Sequence, residues 1–218
     1  MLLKSNSSHW SAMADSRFEA FLRALSERWP HPATLLITGA WAAATWGRVR
    51  HTRDVDFEVA GVPARWMEAF GEAVRAAESD SGLMAQYSTR IDRWSELSLL
   101  AYRRNAKAVK RYGQLDVRVL DPLHWSLGKV GRYVDRDVAD LVEVFKRVRP
   151  DPLTVARLWS RALRASPPSS QLWNIKRQML DFFRSYGASV WKTPVPLERI
   201  ERLFGTPEAV RGRSRKLS

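Results

Sequence analysis

Cysteine is absent from all 218 residues, which excludes disulfides and thiolate metal sites and fits a cytoplasmic protein. Histidine is scarce. His9, His31, His51 and His124 are scattered without zinc-ligand spacing, so any bound metal should sit on carboxylates and be Mg²⁺ or Mn²⁺. No stretch approaches the roughly 18 uninterrupted apolar residues of a membrane helix, so no membrane partner is expected. The opening MLLKSNSSHW lacks an apolar signal core, and export is not expected. Acids fall short of bases, but only in the second half, where bases number more than twice the acids. Residues 1–100 carry 11 Lys+Arg against 12 Asp+Glu, a net of −1, whereas residues 101–218 carry 25 against 11, a net of +14. A basic half on that scale points to a polyanionic partner, with nucleic acid as substrate or ligand; the bland reading is solubility.

What is present is a chain of one domain, or one domain with an appendage, with 45% apolar residues to build a core. Its most informative stretch is LLITGAWAAATWGRVRHTRDVDFEV, residues 35–59. An apolar strand runs into Thr38-Gly39-Ala40, a small-residue helix follows, and Asp54-Val55-Asp56 opens a second strand. Alternate residues of a strand share a face, so Asp54 and Asp56 point the same way with Cα atoms about 6.5 Å apart. Two carboxylates at that spacing can share a hard cation. Gly39, at a turn into a helix, lets backbone N–H groups approach an anion closely. A phosphate cradle beside a metal-binding pair suggests phosphoryl or nucleotidyl transfer.

Periodicity predicts a helix over 16–29, strands near 34–38 and 54–60, and a helix over 64–77. A strand near 83–87 and a basic surface helix over 102–111 follow. Residues 115–120 alternate at period two and read as a strand. Asp121-Pro122 starts a helix over 123–133, and Asp135 caps the next. Two further helices are expected near 153–165 and 170–186. The fold class is therefore α/β (α+β): a small mixed sheet with helices packed on it, then a helical region. Residues 1–15 read as a loose arm, 16–121 as the core, 122–205 as the helical region and 206–218 as a basic tail.

Gly39-Ala40, then Asp54-Val55-Asp56 on a strand, then a later strand carboxylate, resembles the polymerase-β-type nucleotidyltransferase superfamily. The form Arg50-x-Thr52-x-Asp54-Val55-Asp56 is similar to the bacterial branch around abortive-infection nucleotidyltransferase toxins. Lys129-Val130-Gly131-Arg132 and Asp137-x-x-Asp140 match that branch's downstream lysine and acidic pair. The resemblance covers about residues 33–147 and implies two metal ions on Asp54, Asp56 and a third carboxylate, Asp116 or alternatively Glu58. It implies NTP contacts from Gly39, Ala40, Thr52, Arg53 and Lys129, with Arg50, Asp137 and Asp140 in support. Asp137 and Asp140, at i and i+3, are read as anchors for Lys129 or Arg132. The implied activity transfers NMP from an NTP to RNA, with a tRNA end as acceptor, as a toxin or defence enzyme with an antitoxin partner would. Trp125, Trp159, Trp173 and Trp191 suit base stacking, with helical core the stronger reading for Trp159 and Trp173. Alternatives are nucleotidylation of a small molecule or protein, and a non-catalytic nucleic-acid-binding component of a toxin–antitoxin pair.

Overall fold

The computed structural model describes residues 16–47 and 52–205. The arm, Arg50 and the basic tail lie outside the described residues. Five strands form one mixed sheet: β1 (Ala33–Ile37), β2 (Asp54–Ala60), β3 (Met84–Ser88), β4 (Lys107–Tyr112) and β5 (Leu115–Val119), in the spatial order β3-β2-β1-β5-β4. The central strand β1 runs antiparallel to β2 and parallel to β5.

Alternation divides this sheet into two unlike faces. Leu35, Ile37, Val55, Phe57, Val59, Leu115, Val117 and Val119 point to one side and are fully or almost fully buried. They are covered by α1 (Ser16–Arg28) and α3 (Met67–Ser81), which contribute Phe18, Phe21, Leu22, Leu25, Phe70, Val74 and Ala77. Each such Val, Leu or Phe contributes about 1.5–3 kcal/mol when fully removed from water, so this face fixes the register. The opposite face carries Thr34 and Leu36 of β1, Asp54, Asp56 and Glu58 of β2, and Asp116 and Arg118 of β5. That face holds the candidate chemistry.

The remaining helices are α2 (Gly39–Trp46), α4 (Tyr102–Asn105), α5 (Pro122–Arg132), α6 (Asp135–Val148), α7 (Pro152–Ala165), α8 (Gln171–Trp191) and α9 (Leu197–Phe204). α5 and α6 pack on α2, and α7 to α9 complete a helical half. Its centre is aromatic: Trp159 lies 5.3 Å from Phe183 and 5.6 Å from Phe182, ring centroid to centroid. The Trp159 indole N–H donates to Ser126 Oγ at 2.8 Å, tying α7 to α5. Among the described residues, no helix is long and apolar enough to cross a membrane.

Several boundaries differ from the sequence expectation. The basic helix over 102–111 is a single turn, α4, followed by strand β4 at the sheet edge. Lys107, Lys110 and Arg111 are charges of the kind that protect an edge strand from unwanted pairing, and they mimic a polar helix in the sequence. Val134, not Asp135, occupies the N-cap of α6, with Asp135 as its first residue. The helix expected near 170–186 continues to Trp191, and α9 was not foreseen. Trp173 is 62% exposed rather than core.

Candidate active site

The turn between β1 and α2 sits directly over Asp56. Thr38 N–H donates to the Asp56 carbonyl at 2.9 Å, and Gly39 follows with φ +60°. A Cβ built on Gly39 would lie 2.0 Å from Asp56 Oδ2, a distance no side chain tolerates. Glycine is required here twice over, for its left-handed backbone and for the carboxylate laid against it. Thr38, the N-cap of α2, makes no side-chain cap bond, so the side chain leaves the helix's opening N–H groups uncovered. Ala40 is buried and can offer only its backbone.

Asp56 lines a cleft of about 240 Å³ with Gly39, Trp94, His124, Lys129 and Arg132. Asp54 shares its face one pleat away, and its backbone N–H donates to Thr52 Oγ1 at 3.1 Å. Thr52 therefore shapes the approach to the pair, and Arg53 is exposed beside it. The side chain of Asp54 forms no ion pair among the described residues.

The structure does not bring a third carboxylate to this pair. Thr34 is level with Asp116, and Leu36 with Arg118, whereas Asp56 is level with Thr38. Just past the end of β5 the position beside Thr38 is Leu120, whose N–H donates to the Ile37 carbonyl at 3.0 Å. Asp116 is four residues back, about 13 Å along the strand. There it accepts from Arg118 Nε at 2.8 Å, the arginine pairing that competes with a ligand role. Glu58, the alternative, is 1% exposed and already engaged. It accepts from Arg103 Nε at 2.5 Å, from the Ile91 N–H at 3.1 Å and from the Tyr102 hydroxyl. Burial, reinforced by that carboxylate, holds the Tyr102 phenol well above its usual range, and Glu58 likewise raises Arg103. Among the described residues, no group of three His, Asp or Glu side chains could hold a metal ion.

Lys129 is a brace more than a phosphate ligand. It is 3% exposed, and its Nζ donates to Asp137 Oδ1 at 2.9 Å and Asp140 Oδ2 at 2.6 Å. Arg132 grips the same Asp137 with two bonds of 2.9 Å, leaving its guanidinium edge in the cleft. Lys129 also lies 5.5 Å from the centroid of Trp125, whose indole N–H donates to the Gly39 carbonyl at 2.9 Å. The lock on α5 and α6 thus reaches the turn over Asp56 through one tryptophan.

Two cleft residues escaped the sequence reading. Trp94 is 47% exposed and offers a ring face to a planar ligand. His124 is buried beside Asp121, with Nδ1 at 2.5 Å from Asp121 Oδ2. Asp121 also caps α5, accepting from the Leu123 and His124 N–H groups at 3.0 and 3.3 Å. The Asp121 contact at Nδ1 orients the ring and leaves Nε2 as its other polar atom. The spacing Asp-Pro-x-His, cap then third helical residue, was the available signal. Comparisons of the chain with family models, with curated proteins and with solved structures return no match.

Proposed function

We propose that the chain is a metal-dependent nucleotidyltransferase that moves NMP from an NTP to the hydroxyl of an RNA, with a tRNA end as the first candidate acceptor. The observation that carries the reading is Gly39: its turn is laid on the Asp56 carboxylate at the wall of the cleft, which sets the backbone N–H groups of a helix start beside one acid of the strand pair. Asp54 and Asp56 would hold a hard divalent cation such as Mg²⁺, which takes oxygen ligands. Bound there, the ion would neutralise charge growing on the phosphates.

The opening N–H groups of α2 hold the triphosphate, and Arg132 adds a charged donor at the cleft wall. Trp94 stacks the nucleobase. The acceptor oxygen attacks the α-phosphorus, a new P–O bond forms, and the bond to the β-phosphate oxygen breaks to release pyrophosphate. The acceptor's proton passes to His124 Nε2, with Asp121 steadying the resulting imidazolium. His124 sits in the first turn of α5, four residues beyond Leu120, the position beside Thr38.

The test supplies each α-labelled NTP in turn with Mg²⁺ or Mn²⁺ and total bacterial RNA, beside an Asp54→Ala/Asp56→Ala variant. Label on RNA with the intact pair alone supports the reading; no label with any nucleotide, on RNA or protein, sinks it. One observation favours a second reading, a non-catalytic nucleic-acid-binding module: Leu120 stands where the resemblance asks for an acid. That reading expects RNA binding that survives loss of both aspartates, without turnover.

A further inference from the structure

A second groove, of about 470 Å³, runs along α8 and is lined by Tyr133, Asn174, Arg177, Gln178, Asp181 and Arg184. Trp173 stands on the same helix one turn before Arg177, whose guanidinium lies 4.8 Å from the ring centroid. This tryptophan is 62% exposed, the highest exposure of the large hydrophobic side chains among the described residues. Arg177 forms no ion pair among the described residues, while Arg184 is held by Glu201 at 2.6 Å. The one acid in the groove, Asp181, is occupied by the Tyr133 hydroxyl at 2.7 Å and the Ser185 hydroxyl at 3.0 Å. Gln178 Oε1, at the groove wall, is buried and has no hydrogen-bond partner among the described residues.

The position of this groove matters as much as its lining. Tyr133 follows Arg132 directly, and Arg132 lines the cleft that contains Asp56. Consecutive residues at the C-terminal end of α5 thus line the two depressions, Arg132 the cleft and Tyr133 the groove. We propose that the α8 groove seats a single-stranded polynucleotide whose end enters the cleft, with one base stacked on Trp173 and phosphates on Arg177 and Arg184. The direction of the strand rests on the nucleotidyltransfer reading; the binding itself does not. An aromatic face with an adjacent arginine is what a stacked base and its phosphate need, and neither element requires a particular base.

The experiment measures fluorescence anisotropy of an end-labelled, unstructured 12-nucleotide RNA with the full chain, across a range of salt. Trp173→Ala should weaken binding by about 5- to 150-fold, the range for losing one stacked base. Arg177→Glu should weaken it and flatten the salt dependence. Both side chains are exposed, so the variants should keep the wild-type melting temperature, and Asp54→Asn should bind RNA as the wild type does. Variants that bind within twofold of wild type would overturn the proposal. So would duplex DNA of the same length competing as well as the single strand. Binding lost in Trp173→Ala, in a protein that never labels RNA, leaves the groove standing and removes the catalytic reading. Label transfer with binding indifferent to both variants does the reverse.

Discussion

Asp54 with Asp56 and Asp137 with Asp140 are two close pairs of aspartates, and the molecule uses them in opposite ways. Asp137 and Asp140 are almost wholly buried and close on Lys129, with Arg132 completing a balanced set of two positive and two negative groups. Burial on that scale is tolerable only because each charge has a partner, so this pair holds α5 to α6. Asp54 and Asp56 are half-buried on the open sheet face, with a glycine turn pressed against one of them. The spacings already differ, i and i+2 on a strand against i and i+3 on a helix. What separates their uses is burial: the helical pair closes on Lys129 inside the protein, whereas the strand pair stands half-buried at the wall of the cleft.

Substitutions can break this comparison from either side. Asp140→Ala strips Lys129 of a buried partner and should cost about 3–5 kcal/mol, read as a lower urea midpoint with unchanged slope. Asp54→Ala should leave that midpoint within about 0.5 kcal/mol, as for surface changes, yet reduce label transfer about a thousandfold, since metal stabilisation is worth several kcal/mol. His124→Gln should lower transfer by about a hundredfold or more while NTP binding, measured by equilibrium dialysis, persists. Gly39→Ala should cost roughly 1–2 kcal/mol from the left-handed backbone alone and displace the Asp56 carboxylate, reducing both stability and transfer.

The smallest effect belongs to a third use of aspartate. Asp151 caps α7, accepting from the Thr154 N–H and hydroxyl, each at 2.8 Å. The Thr154 hydroxyl, chief among several groups, holds this carboxyl below its usual range. Its contribution is therefore present above the unfolded-state value and fades as pH falls through the folded one. Asp151→Ala should cost about 1 kcal/mol at neutral pH, and less in strong acid, by chemical unfolding at each pH.

The covered face of the sheet was legible because period two is a property of the strand itself: β2 was read to its observed limits, and Asp54 and Asp56 fell on one face by counting. The place of Asp116 was not legible, because it depends on how β5 registers against β1, and a strand carries no record of its neighbour's offset. Edge strand β4 was misread for its charges. Trp159 and Trp173 look alike as helical tryptophans, yet one fills the core and the other meets solvent, since Trp173 lies on the outer face of α8 while Leu172 and Ile175 beside it pack inward. The His124–Asp121 contact needed only three residues of spacing, but its meaning depends on the cleft that Trp94 and Asp56 close from other elements.

Thermal unfolding of wild type and Asp54→Asn, with and without Mg²⁺ and an NTP, tests most directly whether the open pair is held for a ligand. The expected result is that Mg²⁺ with NTP raises the wild-type midpoint and leaves that of Asp54→Asn unmoved, while the two unliganded proteins melt together. A variant that melts several degrees lower without ligand, beside a wild type that no nucleotide shifts, would make Asp54 a structural residue and contradict the assignment.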